Sequence, residues 1–424
     1  MSADGTRAPT LLDPLRQRNF RCLAGGRMAT YFANAMAPIV LSFAVLDLTG
    51  SLIDLGIVVG ARSVANVALL LFGGVIADRL PRRLVLQGSS VAAGLAQAVI
   101  AASVLFGFAS IPVLVVISVV NGMVSAVSLP AAAALVPQTV PHEMIRPANA
   151  VVRMAVNAGM VLGASTGGIV VGLAGPGWGI ACNAVVFLLA GLSFAGLRTT
   201  AGASAAPAGP ARPLAELRDG WKEFTSRTWV WVVVLQFLVI NAVVAGGLQV
   251  LGPTIADQSF GRTTWGLLLA AQTAGAFAGG FLAARTRPRH ALRIGAAVGA
   301  FEAVPLLALG TTSHVALLAA AMFINGVALE QLAVAWDVSL QENIPQERLA
   351  RVYSYDALGS FVAIPLGEVA AGPIALHAGI DTTLVAGAVL VVAATGFALC
   401  SSSVRRLTVK PAAPPHLPAG EVAA

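Results

Sequence analysis

The sequence predicts an all-α integral membrane protein, twelve transmembrane helices arranged as two pseudo-symmetric six-helix halves. Three observations carry that prediction. Hydrophobic residues make up 57% of the 424 positions and charged ones only 11%, with a mean hydropathy of +0.83. A soluble domain carries about 25% charged residues, so this chain lacks the polar surface to meet water on all sides. The apolar residues fall into runs of bilayer-crossing length, and a helical span needs about 20 of them. Finally, the second half matches the first at offsets of 204 and 206 residues.

The basic balance, +7 with a sequence pI near 10.1, reports topology and not a nucleic-acid partner. Of 26 Lys and Arg, only Arg262 falls in an outside loop. Arg27, Arg62 and Arg153 fall within spans, and the others lie in inside segments or at their edges. This positive-inside bias puts both termini in the cytoplasm, and the expected location is the plasma (inner) membrane, as a multi-pass protein.

In order, residues 1–19 form a polar cytoplasmic segment with no signal-peptide core. The N-terminal bundle covers 20–197. Span 1 (20–46) sets Arg27, Tyr31 and Asn34 at i, i+4 and i+7, with Pro38 at i+11, along one polar face. The outer turn Thr49-Gly50-Ser51 leads into span 2 (52–77), where Arg62 and Asn66 share a face. A short loop then reads Ala77-Asp78-Arg79-Leu80-Pro81-Arg82-Arg83 after Gly73-Gly74. The glycines permit close helix approach, Pro81 stops the helix, and the arginines hold the turn at the cytoplasmic face. Span 3 (84–107) is uncharged and reads as a peripheral helix. Span 4 (111–136) places Ser118, Asn121, Ser125 and Ser128 on a second polar stripe. Span 5 carries Arg153 and Asn157 one turn apart, then Gly159, Gly163, Gly167, Gly168 and Gly172; span 6 covers 178–197.

A linker, 198–227, begins with Ala, Gly, Pro, Ser and Thr. It ends in an amphipathic stretch with Leu214, Leu217, Trp221 and Phe224 on one face, read as an interfacial connector helix. The C-terminal bundle, 228–405, holds spans near 229–251, 264–284, 291–310, 313–340, 352–376 and 381–403, and 406–424 is a cytoplasmic tail. The repeat sets Gly73-Gly74 on Gly279-Gly280 and Arg79 on Arg285 at offset 206. At offset 204 it sets Gly163 on Gly367 and Gly168 on Gly372. The second copy of the loop, Ala283 to Arg289, has no acid.

Catalytic chemistry finds no anchor. The two lysines, Lys222 and Lys410, lack the Gly-Lys-[Ser/Thr] setting of a phosphate loop. The three cysteines, Cys22, Cys182 and Cys400, lie far apart in apolar runs, with no metal or disulfide spacing. The chain is therefore expected to be no enzyme and to use no metal or bound cofactor, a proton gradient supplying the energy.

The Asp78 loop resembles the signature loop between spans 2 and 3 of the major facilitator superfamily, with Pro81 standing where that family usually has glycine. With Arg18-Asn19-Phe20-Arg21, Thr49-Gly50-Ser51 and two proline-containing inner turns, one from Pro137 to Glu143 and its match 204 residues on with Pro345 and Glu347, the chain looks like the twelve-span drug:proton antiporter branch, which includes enterobactin exporters and macrolide-efflux proteins. The resemblance covers about residues 16–405. It implies the major facilitator fold with spans 1, 4, 7 and 10 lining a central cavity and spans 3, 6, 9 and 12 outside. It also implies that Asp78, with Arg79, Arg82 and Arg83, clamps the halves at a cytoplasmic gate, which Asp337 and Asp356 are placed to join.

Polar groups at membrane depth are costly and so are functional candidates by default. For proton coupling they are Glu330 first, on one face with Asp337 and Gln341, then Glu302 and Glu368. Arg62, on the opposing half, is the expected counterpart of Glu330. Candidate cavity residues are Arg27, Tyr31, Asn34, Arg62, Asn66, Asn121, Ser125, Arg153 and Asn157 in the first half, and Gln249, Gln272 and Gln331 in the second. Each has a plainer reading: Arg27 and Arg153 lie near span ends where arginines snorkel, and Glu368 lies among glycines where it can simply pair with a neighbour. The expected function is proton-coupled export of an amphipathic small molecule by a monomer in the lipid bilayer. An importer of a small nutrient, or a non-transporting membrane sensor or assembly protein, are the competing readings.

Overall fold

The computed structural model describes residues 10, 12–79, 81–133, 135–197, 221–222, 224–286 and 288–408. Most of the linker and the tail from 409 lie outside the described residues. Every regular element among the described residues is helical. The first half runs α1 (Arg18–Thr49), α2 (Leu52–Arg79), α3 (Arg82–Leu105), α4 (Ile111–Ala133), α5 (Ile145–Ala174) and α6 (Pro176–Ala195). The second runs α7 (Thr228–Gln258), α8 (Arg262–Arg285), α9 (Ala291–Thr311) and α10 (Val315–Asn343), followed by α11 in two pieces (Gln346–Phe361 and Ile364–Ala378), α12 (Ile380–Cys400) and the short α13 (Ser402–Arg406). Eleven of these helices are long and apolar enough to span a bilayer, and α4 supplies a shorter apolar stretch, Ile111–Ala126.

Three spans that read as unbroken helices are not. α7 widens into a π-turn over Ala245–Leu251, α9 tightens into a 3-10 turn over Gly299–Glu302, and α11 breaks at 362–363. Such turns do not change the count of apolar residues, so hydropathy cannot reveal them.

The repeat in the sequence is a repeat in packing. Gly163 of α5 lies against the backbone of Phe32 in α1, and Gly367 of α11 lies against Ala242 in α7. Each holds a span 5-type helix to the first helix of its own half. Gly168 and Gly372, five residues further on, instead face the other half: a Cβ on Gly168 would lie 2.7 Å from Gly266 Cα, and one on Gly372 would lie 2.7 Å from Leu52 O. Both helices then turn at Gly175 and Gly379, again 204 apart, each with φ of 86° that a side chain would oppose. At the end of the linker, Trp221 and Phe224 dock on Tyr355 of α11, with ring centroids 5.6 and 5.9 Å away.

Candidate transport pathway

Buried apolar residues divide the molecule along its long axis. At the end remote from the termini, one cluster runs through both halves and includes Phe43, Leu52 and Leu55 with Leu251, Trp265 and Leu384. At the termini end the described residues form two clusters, each within one half. Phe20, Leu86 and Phe194 belong to the first, and Trp229, Trp336 and Leu340 to the second. Among the described residues the halves share one core at the first end, sealing it, and keep separate cores at the other, where Arg153 of α5 and Asp337 of α10 stand exposed.

The seal is made by α5 against α8 and α2 against α11. Glycines let backbones meet there: Gly168 on Gly266, Gly172 on Thr263, Gly372 on Leu52. Over the α5–α8 contact lies an ion cluster. Arg262, the first residue of α8, grips Asp47 at the end of α1 through both terminal nitrogens, Nη1 to Oδ2 at 2.9 Å. Its Nε donates to Asp257 Oδ1 at 2.6 Å, and its guanidinium lies 5.0 Å from the centre of the Phe43 ring. The Asp47 bonds and the Phe43 contact cross between halves; the Asp257 bond stays within the second half and orients the arginine.

Below the seal, Glu368 of α11 is fully buried with Ser63 of α2 beside it, and neither carboxylate oxygen makes a well-formed hydrogen bond. Its charged neighbour is Arg62 of α2, in the other half, whose Nη2 also lies 3.5 Å from Asn34 Oδ1. Gly56 and Gly60 bring α2 close enough for this, since a Cβ on Gly56 would lie 2.5 Å from Glu368 O. Glu330 of α10 is half-buried against Gly279 and Gly280 of α8, and its cationic counterpart is Arg153, also across the gap. Two carboxylates of the second half thus each face an arginine of the first, and Arg62 faces Glu368 instead of the expected Glu330. Glu302, on α9, is turned inward, accepting from Asn325 Nδ2 at 2.8 Å, while Asn325 Oδ1 accepts from Gln272 Nε2 at 2.6 Å.

A family model described as Major Facilitator Superfamily matches residues 23–368. The chain belongs to the major facilitator superfamily. Among solved structures it is similar to the nucleoside transporter NupG, as a point mutant (TM-score 0.75, 12% identity, 90% of this chain and 99% of that one). It is also similar to a bacterial homologue of the human lysosomal transporter Spinster in an inward-facing, unoccupied conformation (TM-score 0.68, 17% identity, 92% and 98% covered). At these identities the likeness shows the fold. No curated protein sequence matches the chain.

Within this major facilitator fold the remaining candidate residues part company. Asn34, Arg62, Asn121 and Ser125 line a cavity of about 10 Å³ with Gln97 and Ser118, room for one water. Asn66 Nδ2 donates to Gly122 O at 3.4 Å, tying α2 to α4. Gln331 Nε2 donates to Gly279 O at 2.7 Å and ties α10 to α8, so its amide is used inside one half. Arg27 lies 5.7 Å from the Tyr31 ring centre, Asn157 is half-buried, and Gln249 is exposed within the π-turn. Asp337 accepts from Tyr353 Oη at 2.9 Å, and Asp356 accepts from Trp336 Nε1 at 2.9 Å and from Ser360 Oγ at 3.0 Å. The side chains of Asp78, Arg79 and Arg82 lie outside the described residues. Arg83, expected in the gate, donates to Ala195 O at 2.7 Å and caps the end of α6 in its own half.

The sequence reading missed Asn325, Ser63 beside Glu368, and the Asp47–Arg262–Asp257 cluster. The cluster did have a signal: the one outside arginine follows an outside acid by five residues.

Proposed function

We propose that the chain is a secondary active transporter that exports an amphipathic small molecule in exchange for protons by alternating access. On this reading both termini are cytoplasmic, the membrane is the plasma membrane, and the structure is the state open to the cytoplasm. The observation that carries the reading is Glu368, a fully buried carboxylate with Ser63 and Arg62 of the other half beside it at the junction of the halves. An isolated buried charge is costly, so an ionised Glu368 favours opening of the outer end, where water and Arg62 can reach it. A proton arriving on Glu368 from outside removes that charge, and the neutral group is buried at much lower cost as the halves rock to the cytoplasmic side. There the proton leaves through the open cavity and cargo binds. Glu330, opposite Arg153 at the mouth, is the second carboxylate placed to take part. Arg27, Arg62 and Arg153, all in the first half, favour a cargo with an anionic group. Closure at the cytoplasmic end brings the Asp78 loop toward Asp337, and the cargo leaves outward.

Purified protein in proteoliposomes tests this. An imposed proton gradient drives uphill flux of amphipathic test compounds in the export direction, while Glu368→Gln abolishes uphill flux and keeps downhill counterflow. Uphill flux that survives in Glu368→Gln and fails in Glu330→Gln moves the coupling to Glu330. Uphill flux that survives in both variants overturns proton coupling through either group, and inward uphill flux overturns export.

A further inference from the structure

A second charged site stands apart from the transport pathway, at the termini end of the C-terminal half. His290, Arg293, Arg405 and Arg406 line an open cavity of about 440 Å³. His290 and Arg293 sit at the start of α9, and the other two on α13, just past the end of α12. Their convergence is built by packing. Val404 is fully buried in one cluster with Leu292 and Ala398, which pins α13 onto the bases of α9 and α12 while the three arginines stay exposed. Among the described residues none of these three guanidiniums has an acidic partner within ion-pair distance. Like charges held together repel, so an uncompensated cluster at a fixed place in the fold calls for an anion.

The position of the cluster selects the anion. The apolar spans Ala291–Thr311 and Ile380–Cys400 begin and end beside it, which puts it at the membrane–water boundary. Further along the same two helices, Ile294, Phe301 and Phe397 are about half exposed, an apolar surface for acyl chains. We infer that the pocket formed by His290, Arg293, Arg405 and Arg406 binds the phosphodiester headgroup of an anionic glycerophospholipid, whose chains lie along α9 and α12. Three guanidiniums suit phosphate oxygens, each offering paired donors, and the volume admits a phosphate with its glycerol.

The test uses the full chain, delipidated in a mild detergent, with phosphatidylglycerol, phosphatidylcholine or inorganic phosphate added. Binding is read by native mass spectrometry and by thermal unfolding. Phosphatidylglycerol is expected to bind and to raise Tm, with phosphatidylcholine and millimolar inorganic phosphate doing neither. The triple variant Arg293→Gln, Arg405→Gln, Arg406→Gln should lose about a hundredfold in phosphatidylglycerol affinity, the usual scale for three interfacial arginines. Arg16→Gln, at the same end of the other half, should lose none. If the glutamine variant is unstable, the matching triple lysine variant keeps the charge and should bind within a fewfold of the parent. Equal binding of the two lipids, full binding by the glutamine variant, or inorganic phosphate binding as tightly as phosphatidylglycerol would each overturn the assignment.

Discussion

Replacing Arg262 by glutamine should open the sealed end. Two contacts of this side chain cross between the halves, the two-pronged grip on Asp47 and the face of Phe43. Side-chain exposure is 22% for Arg262 and 41% for Asp47, so water screens the pair. An exposed ion pair is worth about 0.2–1 kcal/mol, and two-pronged geometry puts this one near the top of that range. The aromatic contact adds about 0.5–1 kcal/mol. Losing both shifts the balance between sealed and opened states by about 1–2 kcal/mol, roughly 5- to 30-fold in population. Spin labels on Thr49→Cys and Ser259→Cys in a background without native cysteines report the outer separation by pulsed electron resonance. A long-distance population should grow in Arg262→Gln, and 1 M salt should produce part of the same change in the parent. Asp257→Asn, which removes only the orienting bond, should have the smaller effect. An unchanged distance distribution in Arg262→Gln would show that the glycine contacts alone hold the seal and that the ion cluster is idle.

Three further outcomes are expected, two from the packing and one from the proposed orientation. Gly168→Ala should shift the equilibrium toward the outward-open state with little change in Tm, because its Cβ collides with Gly266 of the other half only when the seal is closed. Gly163→Ala, which meets Phe32 within its own half, should instead lower Tm by overpacking worth about 1–3 kcal/mol. A cysteine at Ser204 should resist membrane-impermeant thiol reagents in intact cells, and labelling there would reverse the proposed orientation.

How far the fold was legible follows from what is local along the chain. Span length, the polar linker and the glycine spacing are one-dimensional properties, and the 204-residue offset already paired Gly163 with Gly367 and Gly168 with Gly372. Two reasons for keeping glycine five residues apart, one contact inside a half and one across the junction, emerged only from packing. The loop at Asp78 was likewise readable, yet Arg83 proved to cap α6, since a charge run does not say which arginine faces which neighbour.

By itself, the sequence determined the membrane class, the number of spans, the two halves and the set of polar groups that must sit at membrane depth. Hydrophobic length and composition suffice for these, because a bilayer tests every span against the same thickness and the same absence of water. Tertiary structure decided the pairing. A helical period gives the face a residue shares with its neighbours on the same helix, but not the rotation, depth or tilt of that helix against another. Arg62 therefore looked like the counterpart of Glu330 from depth alone, and the approach of α2 to α11 over Gly56 and Gly60 gave it to Glu368. The same physics placed Arg262 between Asp47 and Asp257, residues 215 and 5 positions away that only folding brings to one point.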